Sequence, residues 1–472
     1  MNRSYEQAKH LITRCIIFEL LKSVIKFIII AFLCFKKKLY IRTLLYAFST
    51  ARTTLIIRII IIYIFINQYK NLIYMKQLFN FFIFIAIFHA GFLKAEKKDT
   101  TAVDTFRFTI QKENKITPVK NQASTGTCWS FSMLGYIESE LLRTGKPEVD
   151  LSEMFVVYHS YKDKADNYVR RHATANFAEG GSFEDVLYVL KNYGIVPDSE
   201  MAGFNYGEEK HRHGELDKLT KAYVDVIVSN PNRKISTAWK AGFTGILDAY
   251  LGKVPAEFTF SGRKFTPQTY AQSLGLNFDD YVSLTSFTHH PYYQDFAIEI
   301  PDNWRNGTSK NLPLDEFMQV FDYAVNEGYC IAWGSDVSEK GFSRDGVGVN
   351  PEIKLDKLPG SDQAKWLGIS QKEMEEKIYK MKGPQTEVQV TAELRQKDFD
   401  NYQTTDDHGM VIYGIAKDQN GTKYYLVKNS WGTDSKYKGI WYASESFVKH
   451  KTINIIVHKD AIPKNIRKKL NI

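Results

Sequence analysis

The stretch TPVKNQASTGTCWSFSMLGYIESELLR, Thr117 to Arg143, decides how this chain is read. Phe131, Leu134, Ile137 and Leu141 step by three and four, the spacing of an amphipathic helix, and Gly145 supplies its stop signal. Cys128 falls in the first turn. A helix N-terminus turns the positive end of its dipole and its unpaired N–H groups toward a sulfur placed there, which favours the thiolate and makes a nucleophile. Packing is the competing explanation, since free cysteines are among the most buried residues.

Cysteine usage sharpens the choice. The chain has 472 residues and four cysteines, two of which, Cys15 and Cys34, lie in an unusual N-terminal segment. Residues 1–95 hold 14 Lys+Arg against Glu6 and Glu19, a local excess of twelve, so the whole chain's +9 leaves the other 377 residues at −3. A slightly acidic body lacks the basic footprint of a nucleic-acid binder, and none is expected as a partner. From Met75, MKQLFNFFIFIAIFHAGFLKAEKK has a short basic start, an apolar run from Phe81 to Phe88 and small residues near Ala90 and Ala95, which is signal-peptide grammar. The run is too short to span a bilayer. Residues 75–95 are therefore read as a signal peptide and the body as exported, periplasmic or extracellular, with membrane attachment only if the leader is retained. Residues 1–74 contain no Gly, Pro or Asp and are read as a doubtful extension, a gene-model artefact upstream of a true start at Met75. The alternative is a real membrane region around Phe27–Phe35 and Thr54–Ile66. Only Cys128 and Cys330 remain in the exported part, too few for a disulfide framework. Cys330, at an apolar strand start, reads as core.

Beyond the first helix, SFEDVLYVLKNYGIVP (Ser182 to Pro197) opens with a cap pattern and follows the pair Gly180-Gly181. From about Asp198 to Leu312 the pattern loosens into charged helical segments and Pro/Gly/aromatic loops, read as an elaboration on a core fold. From Ile331 the texture is strand-like. CIAWGSDV, HGMVIYGIAKD, KYYLVKNSWG, GIWYASESF and INIIVHKD are rich in β-branched and aromatic residues, and Asn420-Gly421 supplies a turn. Helices first and antiparallel strands later predict an α+β architecture.

A nucleophilic thiol needs a base, and His408 stands where the loop TTDD gives way to the apolar strand GMVIYGI. The base needs an orienting group. Asn429 ends another strand, followed by Trp431; its carbonyl can fix an imidazole tautomer without adding charge, and an indole can shield that bond from water. His211, His213, His289 and His290 have no Cys or carboxylate at a recognisable ligand spacing, so they read as surface-loop residues and no metal or other cofactor is expected. Asp406 and Asp407 are explained by loop polarity, although Asp407 can tune His408.

Taken in order, PVKNQ…GTCWSFS, EGG, DHGM and LVKNSWG resemble the papain-like cysteine peptidases, and within them the bleomycin hydrolase/aminopeptidase C branch. The resemblance runs from Ile116 to Asp460. It implies a two-lobed fold, a helical lobe beside an antiparallel β-barrel-like lobe, with Cys128 as nucleophile, His408 as its partner and Asn429 orienting the histidine. Gln122 would be an oxyanion donor, worth ~3 kcal/mol in acyl transfer. Gly180, Gly181, Asp407 and Trp431 form the expected substrate-binding set. The separation of 280 positions from Cys128 to His408 exceeds what a minimal papain-like domain needs and resembles this branch in implying a large, mostly helical insertion, here at about 198–312; WGSDV at Trp333–Val337 also fits the branch. The resemblance further implies peptide substrates, aminopeptidase action and a homohexamer. In that branch a C-terminal arm enters the cleft and its carboxylate holds the substrate amine. Here 12 basic-rich residues, Ala461 to Ile472, follow the last strand and are not expected to reach it. Endopeptidase action on oligopeptides, or an idle binding scaffold, are the alternatives.

Overall fold

The period-two residues of the C-terminal third build one sheet, and the helix led by Cys128 lies buried against it. The computed structural model describes residues 105–352 and 383–472. The expectations for residues 1–95 lie outside these. Among the described residues no helix is long and apolar enough to cross a membrane.

The strands are β1 (Thr109–Glu113), β2 (Phe258–Phe260), β3 (Arg263–Phe265), β4 (Tyr281–Thr285), β5 (Asp295–Ala297), β6 (Thr308–Asn311), β7 (Ile331–Ser335), β8 (Phe342–Ser343), β9 (Val347–Gly348), β10 (His408–Lys417), β11 (Lys423–Lys428), β12 (Ile440–Ser444) and β13 (Thr452–His458). All but the β2–β3 hairpin join one sheet, in the order β5-β6-β4-β13-β7-β10-β11-β12-β9-β8, with β1 added along β10. The five strand-like segments read from Ile331 onward are β7, β10, β11, β12 and β13. Asn420-Gly421 makes the tight β10–β11 turn, with Gly421 at φ +84°.

Strand β10 is the spine. Val411, Tyr413 and Ala416 face one core cluster, shared with the helices; Met410, Ile412 and Ile415 face the other. The change of parity past Tyr413 coincides with a register shift at Gly414, where a Cβ would come within 2.6 Å of the Lys112 carbonyl oxygen. Glycine there permits β1 to lie against β10.

The helices are α1 (Cys128–Arg143), α2 (Glu153–Arg170), α3 (Phe183–Asn192), α4 (Gly214–Ser229), α5 (Trp239–Leu251), α6 (Pro267–Ser273), α7 (Leu314–Asn326), α8 (Ala392–Asp400), α9 (Glu445–Lys451) and α10 (Lys464–Leu470). The amphipathic reading of α1 needs correction: every residue from Trp129 to Leu141 is buried. A helix hidden on all sides must neutralise its polar groups. Glu138 does so by accepting from Thr117 Oγ1 at 2.6 Å and Lys120 Nζ at 3.1 Å, and Glu140 by a two-point bond with Arg143. The stretch 198–312 is also less helical than its texture suggested. Helices α4, α5 and α6 end at Ser273, and β4, β5 and β6 belong to the main sheet, β4 pairing with β13. Short strands interrupted by polar loops have too little periodicity to be seen locally. His211 and His213, expected on a surface loop, are buried at 8% and 0% exposure. His211 stacks on Phe204 with centroids 4.3 Å apart, and burial pushes both imidazoles down to about 4. Cys330 is buried as expected, its thiol facing the Lys115 carbonyl.

Candidate active site

Three distant segments meet because backbone bonds sew them together. The register of β10 against β11 sets Val411 opposite Lys428, so the chain leaving β11 runs back past the start of β10, where His408 stands. Beyond β11, Asn121 bridges Trp431, Gln122 N donates to Ser430 O at 2.8 Å, and Gly432 N to Lys120 O at 3.1 Å. The loop that delivers Cys128 is thus tied to the segment that carries Asn429. Lys120, among Glu138 and Glu153, anchors the same loop from behind at 3.1 and 2.6 Å.

His408 and Asn429 face each other across this seam, with His408 Nε2 2.7 Å from Asn429 Oδ1. That oxygen also accepts from Ser430 N at 2.7 Å. A carbonyl fixed as acceptor makes Nε2 the protonated ring nitrogen and leaves Nδ1 free to exchange a proton elsewhere. The Trp431 ring lies against the imidazole, centroids 4.8 Å apart, and rests edge-on against Trp441 and Phe342. Trp431 covers His408; it is not among the residues lining the cleft.

Cys128 is the first residue of α1, and it lines an open cleft of about 510 Å³ together with His408, Gly409, Gly181, Asp407 and Trp129. Burial pushes the thiol up to about 12; the N–H groups of Gly409 and Trp129 favour the thiolate, while Asp406 and Asp302 oppose it. Burial likewise pulls the His408 imidazole down to about 4, against the Asn429 bond and the charge of Asp407, which raise it. Each charge taken singly is disfavoured at this depth in the cleft. A thiolate beside an imidazolium is the combination in which each offsets the other.

Gln122, 5% exposed, accepts from Ser430 Oγ at 2.5 Å and gives one amide hydrogen to Thr125 O at 2.8 Å. Its second amide hydrogen stays available. The glycine pair has a reason in the protein itself: a Cβ on Gly181 would lie 2.8 Å from Trp129 Cε2, and one on Gly180 would collide with the Asp302 carboxylate. Glu179, just before them, accepts from Trp129 Nε1 through its carbonyl at 3.1 Å and takes Gly126 N–H on its carboxylate. Asp407 Oδ2 accepts from the backbone N–H groups of Val337, the last residue of WGSDV, and Ser338, at 3.3 and 3.0 Å.

Sequence reasoning missed the acids of this cleft. Glu184, Asp302 and Asp406 line it with Cys128. Burial, then Asp302, Asp407 and Glu184, push the Asp406 carboxyl up to about 8. Its ordinary value is near 3.9, so between pH 4 and pH 8 the unfolded chain releases a proton that the folded chain holds or surrenders at a cost. The native state therefore loses stability as pH rises across that window. Asp406→Asn is expected to be more stable than the parent above pH 8, by on the order of 1–2 kcal/mol since the side chain keeps some solvent contact, with the gap closing below pH 4. Denaturant midpoints of both proteins at pH 4, 6 and 8.5 check this; a gap independent of pH would contradict it.

The family model described as Papain family cysteine protease matches residues 103–245, and that described as Peptidase C1-like family matches residues 358–472. Aminopeptidase C of Streptococcus thermophilus is 24% identical over 421 residues, covering 79% of this chain and 87% of the relative. Aminopeptidase E of Lactobacillus helveticus is 23% identical over 413 residues, covering 78% and 87%. The crystal structure of PepW from Lactobacillus rhamnosis HN001 (DR20) superposes with a TM-score of 0.58 at 20% identity, over 77% of this chain and 84% of that one, a likeness of fold. With a Cys-led buried helix, a histidine bonded to an asparagine across the sheet's end, and these matches at both ends of the body, the chain resembles the papain-like cysteine peptidases, and among them the aminopeptidases C.

Proposed function

We propose that this chain is an exported cysteine aminopeptidase that cleaves peptides through a thioacyl-enzyme. In the first half-reaction the Cys128 thiol passes its proton to His408 Nδ1 and the sulfur attacks the scissile carbonyl carbon. The carbonyl's π electrons go to oxygen, where Gln122 and the Cys128 N–H donate. Collapse expels the amine, which takes the proton from the imidazolium. Water, giving a proton to His408, then displaces the sulfur and releases the acid. Export is supported by the leader from Met75 to Ala95. A homohexamer is carried by the family resemblance, and sedimentation of the purified protein would test it.

The observation that favours reading a free amine is the acid wall of the cleft. Glu184, Asp302 and Asp406 stand beside the nucleophile. Asp302 has the buried Lys164 as a cationic neighbour, but the charges acting on Asp406 are all acids. An incoming ammonium relieves that crowding and also cancels the effect of Asp406 and Asp302 on the thiol. Endopeptidase action is the second reading, favoured by the C-terminal helix. Ile466 and Leu470 of α10 are buried in the core cluster shared with α7, Lys469 pairs with Glu316 of α7 at 2.5 Å, and no residue of α10 lines the cleft.

Matched peptides with free and acetylated N-termini decide between them. Acetylation is expected to lower kcat/KM by roughly 10- to 100-fold, the worth of a charged hydrogen bond, and Asp406→Asn to narrow that gap. Equal cleavage of the two peptides would leave endopeptidase action as the function.

A further inference from the structure

The loop after β4 carries His289 and His290, which the sequence offered no carboxylate partner. The fold brings one: Glu299, beyond β5, places Oε2 3.1 Å from His289 Nε2 and Oε1 2.7 Å from His290 Nε2. One ligand atom from each lies within 4.8 Å of the others. The loop is held in this shape from two sides. Asn311, fully buried, donates through Nδ2 to Phe287 O at 2.8 Å and His290 O at 2.9 Å. Gln396 Oε1 accepts from Thr288 N at 2.6 Å and His289 N at 3.2 Å. The rings are fixed too, His290 stacking on Phe296 at 4.2 Å and His289 on Phe399 at 6.0 Å.

Gln396 also sets the protonation of His289. Its oxygen is identified by the backbone N–H groups it accepts, and its Nε2 by donation to Asp400 Oδ1 at 2.7 Å. His289 Nδ1 lies 3.1 Å from that same oxygen, so Nδ1 carries the hydrogen. In the neutral ring Nε2 then presents a lone pair, aimed at a carboxylate oxygen 3.1 Å away. Two acceptors facing each other repel unless a cation lies between them. A histidine whose far nitrogen is held by a carbonyl, with its near nitrogen and a carboxylate converging on one point, is the supporting shell found around bound zinc.

We propose that His289, His290 and Glu299 bind one divalent transition cation of the zinc class through the two Nε2 atoms and the carboxylate, with water completing the shell. Two imidazoles and one carboxylate match the ligand preference of that class and not that of calcium or magnesium. Glu299 lies between Ile298 and Ile300, both of which line the catalytic cleft. The cation would thus brace the cleft wall from its outer side, clear of Cys128.

Zinc also binds thiolates, so the test uses the full chain as Cys128→Ala, stripped with chelator at pH 7.5. Competition against a chromophoric zinc chelator is expected to find one zinc per chain, with a dissociation constant at or below roughly 10 µM. His290→Ala and Glu299→Gln in the same background should weaken it tenfold or more, and the zinc-dependent rise in Tm should disappear in both. Glu299→Gln replaces an exposed side chain by its isostere, so folding is not at stake. Undiminished zinc binding in both variants would overturn the site. So would no binding at 100 µM zinc, together with a doubly protonated His289 by NMR at that pH, which would make the cation a proton.

Discussion

Cys128→Ala will lose hydrolysis by a factor on the order of 10⁵ or more in kcat while its thermal midpoint stays within a few degrees of the parent's. In the proposed mechanism the sulfur supplies the bond-forming atom. Its removal costs little in folding. The side chain is small, lies at the cleft rather than in the core clusters, and makes no hydrogen bond through the thiol to another side chain. A thiol-directed epoxide should add one mass to the native protein, at Cys128. Cys330 provides the control, since it is 2% exposed and packed behind the Lys115 carbonyl. Cys330→Ala should therefore retain activity. More than one per cent of wild-type kcat in Cys128→Ala, assayed on a free-amine dipeptide reporter, would remove Cys128 from the chemistry.

Much of this site was legible locally. The helix start at Cys128, the strand starts and ends that hold His408 and Asn429, and the Asn420-Gly421 turn all follow from short-range pattern, because each depends on residues within a few positions. What escaped reading depends on partners far along the chain. Helix α1 looks amphipathic because Glu138 and Glu140 are charged, yet it is buried because Thr117, Lys120 and Arg143 neutralise them. His211 and His213 look like loop residues, yet both are buried, His211 between Phe204 and the distant Phe131 of α1 and His213 beside Tyr206. Asp302 lies 174 positions from Cys128 and Glu299 about ten from His289, and no periodicity announces either meeting. Strands β4 to β6 were hidden by their shortness and by the helical segments before them. Long-range pairing, not composition, recruits them into the sheet.

Gln122 is where a role was inferred from likeness and the geometry adds a test of its own. Negative charge builds on the carbonyl oxygen as sulfur attacks, and one fixed N–H donor for it is worth about 3 kcal/mol, or 10²- to 10³-fold in rate. Gln122 can act only if its amide is held the right way round. Ser430 Oγ secures that by donating to Oε1 at 2.5 Å, and Thr125 O takes one of the two Nε2 hydrogens at 2.8 Å, leaving the other for the substrate. Gln122→Ala should accordingly lower kcat by 10²- to 10³-fold with a much smaller change in KM. Gln122→Glu separates the donor from the scaffold. It keeps the acceptor for Ser430 and the shape of the side chain but offers a carboxylate where the donor stood, so it should be at least as impaired as Ala. Ser430→Ala leaves the donor in place and loosens it, and the expected loss is under tenfold. Steady-state kinetics on the three variants with one unblocked substrate give the ranking, and a Gln122→Glu enzyme with more than a tenth of the parent's kcat would assign oxyanion stabilisation to the backbone N–H of Cys128 alone.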